Sequence, residues 1–136
     1  MAKTVMIVDD VAFVRKTLAD ILKNANYQVV GEAADGAEAI KLFRELRPDL
    51  VTMDIVMPKM SGIEATRTIL KLDKNAVVVI ISAMGQENLV MEAIHVGAKD
   101  YILKPFTSTE VIKTVERALL DDTKMVTRSM PKESKI

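Results

Sequence analysis

The sequence predicts an α/β fold, a doubly wound five-stranded parallel sheet with five helices. Three observations predict it. Short apolar runs alternate with segments of helical periodicity about five times along the chain. The connections between them are short, as in βα units. The run "AVVVII" at 76–81 is apolar at every position, as a strand covered on both faces is.

The first strand is Val5–Val8, a short run with no polar residue. It stops abruptly at Asp9 and Asp10. A helix is expected over Ala12–Asn24, with Phe13, Leu18, Ile21 and Leu22 facing inward. The stretch "YQVVGEA" at 27–33 is a weaker, more polar strand, as suits a sheet edge. Asp35 is placed to cap a helix over Gly36–Leu46, with Ala39, Ile40 and Phe43 inward. Leu50–Met53 forms the third strand and leads into Asp54. The third helix spans Gly62–Leu72, carrying Ile63, Ala65, Thr66, Ile69 and Leu70. The fourth strand, Ala76–Ile81, runs into Ser82. The fourth helix, Gln86–Val96, ends at Gly97, a residue suited to the position after a helix. Tyr101–Leu103 is the fifth strand and runs into Lys104. The fifth helix is Thr107–Leu120, with Val111, Ile112, Val115 and Leu119 inward. Residues 121–136 are polar and aperiodic, so they are expected to form a flexible tail beyond a domain at 1–120.

Composition removes several functions. With 19 basic and 19 acidic side chains the formal net charge is zero, so no global field favours nucleic acid or an anionic membrane. The absence of cysteine excludes disulfides and thiolate-bound metal. Lys3 precedes only about five apolar residues, too few for a signal peptide. No apolar run approaches the roughly 20 residues of a membrane helix. These observations point to a soluble intracellular protein, expected in the cytoplasm and as a monomer.

Ligands of open parallel sheets bind beyond the carboxyl ends of the strands. Those ends carry Asp9 and Asp10, Asp54, Ser82 and Lys104. Three carboxylates, a hydroxyl and an ammonium would share one rim. Crowded carboxylates repel unless a cation holds them. An incomplete all-oxygen set suits Mg2+, which keeps several waters. Lys104 and Ser82 suit a phosphate, as a point charge and a donor. A carboxylate can attack phosphorus to give an aspartyl phosphate. Asp54, expected between the acid pair and Ser82, is the best-placed nucleophile.

The motifs "VDD", "MDIVMPKMSG", "SAMG" and "KPF" occur in that order. With their spacing, the chain over about residues 3–120 resembles the receiver domain of two-component response regulators, and within them the single-domain chemotaxis type. The resemblance implies the flavodoxin-like strand order 2-1-3-4-5, which is the family's known order. It implies that Asp54 accepts a phosphoryl group from a histidine kinase of the chemotaxis type. Asp10, Asp54 and the backbone carbonyl of Val56 would bind Mg2+ directly, and Asp9 through water. Lys104 would pair with the phosphoryl oxygens. Ser82 and Tyr101 would be the switch residues, Ala83 would leave room for the phosphoryl group, and the Lys104–Pro105 bond would be cis. Such a protein is a phosphoacceptor that contributes to its own phosphotransfer and dephosphorylation, not a conventional enzyme. Its partners would be the kinase, a motility switch or adaptor protein, and a phosphatase.

The fourth helix is apolar over more than half its circumference, through Leu89, Val90, Met91, Ala93, Ile94 and Val96. The excess, expected around Val90 and Ile94 with Tyr101 and Leu103 nearby, suggests a partner face. His95, the only histidine, is expected on the surface. Most of the nine methionines are expected in the core, with Met57, Met60 and Met84 in loops flanking the site.

Other functions fit less well. An aspartyl-nucleophile phosphatase of the haloacid dehalogenase type needs a second aspartate where this chain has Val56. A flavin carrier needs a phosphate loop where this chain has Asp9 and Asp10. A DNA-binding regulator needs an output domain that residues 121–136 cannot form. A stand-alone receiver in a relay other than chemotaxis remains an alternative.

Overall fold

The computed structural model describes residues 2–120; the expected tail at 121–136 lies outside the described residues. Five strands alternate with five helices. They are β1 (Thr4–Val8), α1 (Ala12–Asn24), β2 (Gln28–Ala33), α2 (Gly36–Leu46), β3 (Leu50–Asp54), α3 (Gly62–Leu72), β4 (Val78–Ser82), α4 (Glu87–Val96), β5 (Asp100–Leu103) and α5 (Ser108–Leu120). The strands form one parallel sheet in the order β2-β1-β3-β4-β5. The polar strand β2 is an edge, as its sequence suggested, and its register with β1 slips between Val5 and Met6. The strand order reverses between β1 and β3, which brings the end of β1 beside the end of β3.

Side chains alternate across the sheet and build two cores. Met6, Val8, Val51, Met53 and Ile80 face α2, α3 and α4, where Phe43, Ile69 and Ala93 meet them. Val5, Ile7, Leu50, Val79 and Ile81 face α1 and α5, where Leu18, Leu22, Val111 and Val115 meet them. The interior strands β1, β3 and β4 are therefore buried on both faces, and apolar on both apart from Thr52 and residues at the strand ends.

The helix starts are capped by their own sequence. Asp35 accepts from the Glu38 N–H at 2.9 Å, while Glu38 accepts from the Ala34 N–H at 2.8 Å. Thr107 accepts the Glu110 N–H at 3.1 Å and Glu110 accepts the Thr107 N–H at 2.9 Å, a reciprocal pair that makes Thr107 the cap of α5 rather than its first residue. Ser61 caps α3 through the Glu64 N–H. Gly97 follows α4 with φ 132°, a conformation that favours glycine.

Two helices sit differently from expectation. Phe13 is 76% exposed, whereas Leu18 and Leu22 are buried as expected, with Ala19 beside them and Ile21 half-buried. Phe13 stands in the first turn, beyond the end of the sheet, where no core lies beneath it. On α5 the buried stripe is Val111, Thr114, Val115 and Ala118, with Ile112 and Leu119 half-buried. The stripe is set partly by an ion pair: Arg117 donates to the buried Asp100 at 2.9 Å, tying α5 to β5.

Candidate functional site

Asp9, Asp10, Asp54, Ser82 and Lys104 come together at the carboxyl edge of the sheet. Asp54 is the last residue of β3 and Ser82 the last of β4; their strands pair in register through Asp54 and Ile81. Asp9 and Asp10 follow β1, and Lys104 follows β5, its N–H donating to the Ser82 carbonyl at 2.7 Å. The carboxylates of Asp9, Asp10 and Asp54 each offer an oxygen within 4.8 Å of the others. Lys104 Nζ lies 3.3 Å from Asp9 Oδ2 and 3.4 Å from Asp54 Oδ1. Asp9 and Asp54 are buried, whereas Asp10 is exposed. The Lys104–Pro105 bond is cis, as the resemblance implied.

The local backbone explains the crowding. The Asp9 N–H donates to the Ala33 carbonyl at 3.0 Å, and the Asp9 carboxylate accepts the Val11 N–H at 2.9 Å. The acid pair thus precedes α1 directly, near the positive end of that helix. On the other side, the Gly62 N–H donates to the Ile55 carbonyl at 2.7 Å. A Cβ at Gly62 would collide with the Asp54 carbonyl oxygen, so only glycine lets α3 start against the end of β3.

The electrostatics follow from this packing. Burial pushes the Asp54 carboxyl up to about 6, Asp9 adds to the shift, and Lys104 opposes it. Burial pulls the Lys104 ammonium down, but Asp54 and Asp9 together outweigh it and leave it raised. One ammonium does not neutralise three carboxylates. The hard oxygen donors and the uncompensated charge fit a divalent cation such as Mg2+.

Ser82 Oγ is buried and has no hydrogen-bond partner among the described residues. It borders a cavity of about 60 Å³ lined by Ala83, Glu87, Val90, Tyr101 and Leu103. A buried hydroxyl without a partner is uncommon and costly. The Gln86 side chain accepts the Ala83 N–H at 2.8 Å and so closes the β4–α4 loop.

The chain compares closely with known proteins. Residues 5–116 match the response regulator receiver domain family. This chain belongs to that family. It is 51% identical to the chemotaxis protein CheY of Thermotoga maritima over 86% of this chain and 98% of the relative. It is also 51% identical to the protein CcdB of Bacillus subtilis, over 85% of this chain and 96% of that one. Among solved structures it resembles the CheX–CheY–BeF3–Mg complex of Borrelia burgdorferi with a TM-score of 0.84 and 39% identity, covering 88% of this chain and 90% of that one. Membership replaces the phosphatase and flavin-carrier readings with that of a two-component receiver. Among the described residues no helix is long and apolar enough to cross a membrane.

The expected partner face needs correction. Val90 is 2% exposed and belongs to the core, because α4 turns it, with Ala93, onto the sheet. The apolar exposure there comes from Met91 and Leu103, with Ile94 half-buried. His95 is on the surface. Met57 and Met60 pack against the core, whereas Met84 is exposed beside the site.

Two features escaped the sequence. Phe13, Val14, Thr17, Pro105 and Phe106 line a groove of about 450 Å³ next to Lys104; the phenylalanine had the spacing of a core residue. Arg15 donates to the Asp9 backbone carbonyl at 2.6 Å and to Glu32 at 3.0 Å. Its only signal was its place in the first turn of α1, five residues after Asp10.

Proposed function

We propose that Asp54 accepts a phosphoryl group from the phosphohistidine of a chemotaxis-type histidine kinase in a Mg2+-dependent reaction, and that the modification switches binding to a downstream motility partner. The observation that carries this reading is the clustering of Asp54 with Asp9, Asp10 and Lys104 at the switch in strand order. An Asp54 carboxylate oxygen attacks phosphorus as the bond from phosphorus to the donor imidazole nitrogen breaks. The nitrogen keeps the bonding pair and takes a proton from solvent. Asp10, Asp54 and the Val56 carbonyl would hold Mg2+, with Asp9 acting through water. Bound Mg2+ would offset the repulsion between the incoming phosphate and the carboxylates. Lys104 balances charge on the phosphoryl oxygens from the opposite side.

The unpartnered Ser82 hydroxyl supports a switch role. A phosphoryl oxygen on Asp54 would give it an acceptor, and its movement would free space for Tyr101 to turn inward. The phosphorylated arrangement is then favoured by that new bond, and the face formed by Met91, Ile94, Tyr101 and Leu103 follows. Similarity to CheY supports chemotaxis, and the Borrelia CheY in complex with CheX supports a protein partner for the BeF3- and Mg-loaded form. Equal identity to CcdB, a protein not named for chemotaxis, is the observation behind a second reading, a receiver in a relay other than chemotaxis.

Acetyl phosphate should add one phosphoryl group per chain, read by intact mass, only with Mg2+. Labelling that persists in Asp54→Asn or in excess EDTA would refute the assignment.

A further inference from the structure

The peptide that joins Asp9 to Asp10 is gripped from α1. Arg15 Nη1 donates to the Asp9 carbonyl oxygen at 2.6 Å, and Arg15 Nε donates to Glu32 Oε1, on β2, at 3.0 Å. The Arg15 side chain is only 19% exposed, so this geometry is held by packing as well as by hydrogen bonds. Asp9 is restrained elsewhere through its N–H and its carboxylate, which bond Ala33, Val11 and Lys104. Asp10 is exposed, and its backbone nitrogen belongs to the peptide whose carbonyl Arg15 holds.

We propose that Arg15 is a positioning residue for the metal ion, fixing the Asp9–Asp10 peptide so that the Asp10 carboxylate is aimed into the acid cluster, with Glu32 fixing Arg15. This rests on the reading of Asp9, Asp10 and Asp54 as a Mg2+ site. Two effects of Arg15 have opposite signs. As a charge, a guanidinium near a cation site repels the cation, so its removal alone would tighten Mg2+ binding. As an anchor, it orders a ligand, so its removal would weaken binding. The planar fork of donors lets one arginine hold both partners, which a lysine ammonium cannot reproduce.

The test is calorimetric titration of Mg2+ into the metal-free chain, with urea denaturation in EDTA as a separate measure of the fold. Arg15→Met keeps most of the stem and removes the donors. It should weaken Mg2+ binding on the order of tenfold, the scale typical of residues that orient metal ligands. Arg15→Lys should recover part of the loss. Glu32→Ala should act in the same direction but less, and the double variant should lose less than the sum. Unchanged or tighter Mg2+ binding in folded Arg15→Met would overturn the proposal; a loss of stability alone, with affinity kept, would show a structural role only. If Arg15→Met fails to fold, full Mg2+ affinity in both Arg15→Lys and Glu32→Ala would overturn it equally. Failure of the wild type to bind Mg2+, or an Asp10→Asn variant with wild-type affinity, would instead remove the metal site itself, and the proposal with it.

Discussion

Replacing Asp54 by asparagine should stabilise the metal-free protein. The carboxyl is raised from 3.8 to about 6, first by burial and then by Asp9, against the pull of Lys104. A carboxylate whose folded pKa exceeds its unfolded value favours the fold at low pH. That advantage disappears as pH rises from the unfolded value through the folded one, so the full penalty for ionising Asp54 applies at pH 7. A shift of about two units is worth about 3 kcal/mol at about 1.4 kcal/mol per unit. Asparagine keeps the shape and removes the charge but still buries a polar amide, which leaves a gain on the order of 1–3 kcal/mol. Urea denaturation in EDTA should show that gain at pH 7 and a much smaller one near pH 4, where the wild-type carboxyl is already protonated when folded. Saturating Mg2+ should shrink or reverse the difference. Metal bound only to the native state at about 100 times its dissociation constant adds about 2.7 kcal/mol, and the wild type, with one more carboxylate in the cluster, is expected to bind it better. An Asp54→Asn protein no more stable than wild type in EDTA at pH 7, or a gain independent of pH, would refute the repulsive acidic pocket.

Val56 and Met84 are exposed and apolar beside the site, so neither can orient an attacking water. Val56→Asn with Met84→Glu should speed loss of the phosphoryl group by roughly tenfold, about 1.4 kcal/mol of barrier, in a phosphate-release assay. Beryllium fluoride with Mg2+, standing in for the phosphoryl group, should shift NMR signals of Met91, Ile94, Tyr101 and Leu103; changes confined to the metal loops would refute the coupling. Gly62→Ala forces a Cβ against the Asp54 carbonyl and should cost on the order of 1–3 kcal/mol in urea, as overpacked cores do.

Most of the fold was legible because it rests on periodicities that a chain carries locally. Continuous apolar runs marked β1, β3 and β4, and the polar run at 27–33 marked an edge. Asp35 announced a helix start because a cap is a contact between residues three apart, whereas Thr107, expected as the first residue of α5, is its cap. Asp9, Asp10, Asp54, Ser82 and Lys104 were found because parallel strands all end at one rim, so strand-end residues must be neighbours.

Distances and exposures were not legible in that way. Phe13 had core spacing, yet it lies beyond the edge of the sheet it was expected to cover. Val90 was one of several apolar residues on a nearly uniform helix, and only the docking angle of α4 turned it inward. The contacts of Arg15 with Glu32, Asp100 with Arg117, and Gly62 with Asp54 join residues on different elements. The sequence by itself determined which residues form strands and helices and which strand-end side chains share an edge, because those follow from local pattern and strand direction. Tertiary packing alone decided which helix face is buried, how Asp54 is desolvated beside Asp9 and Lys104, and what holds the acid pair. Those depend on how elements distant in sequence rotate and settle against one another.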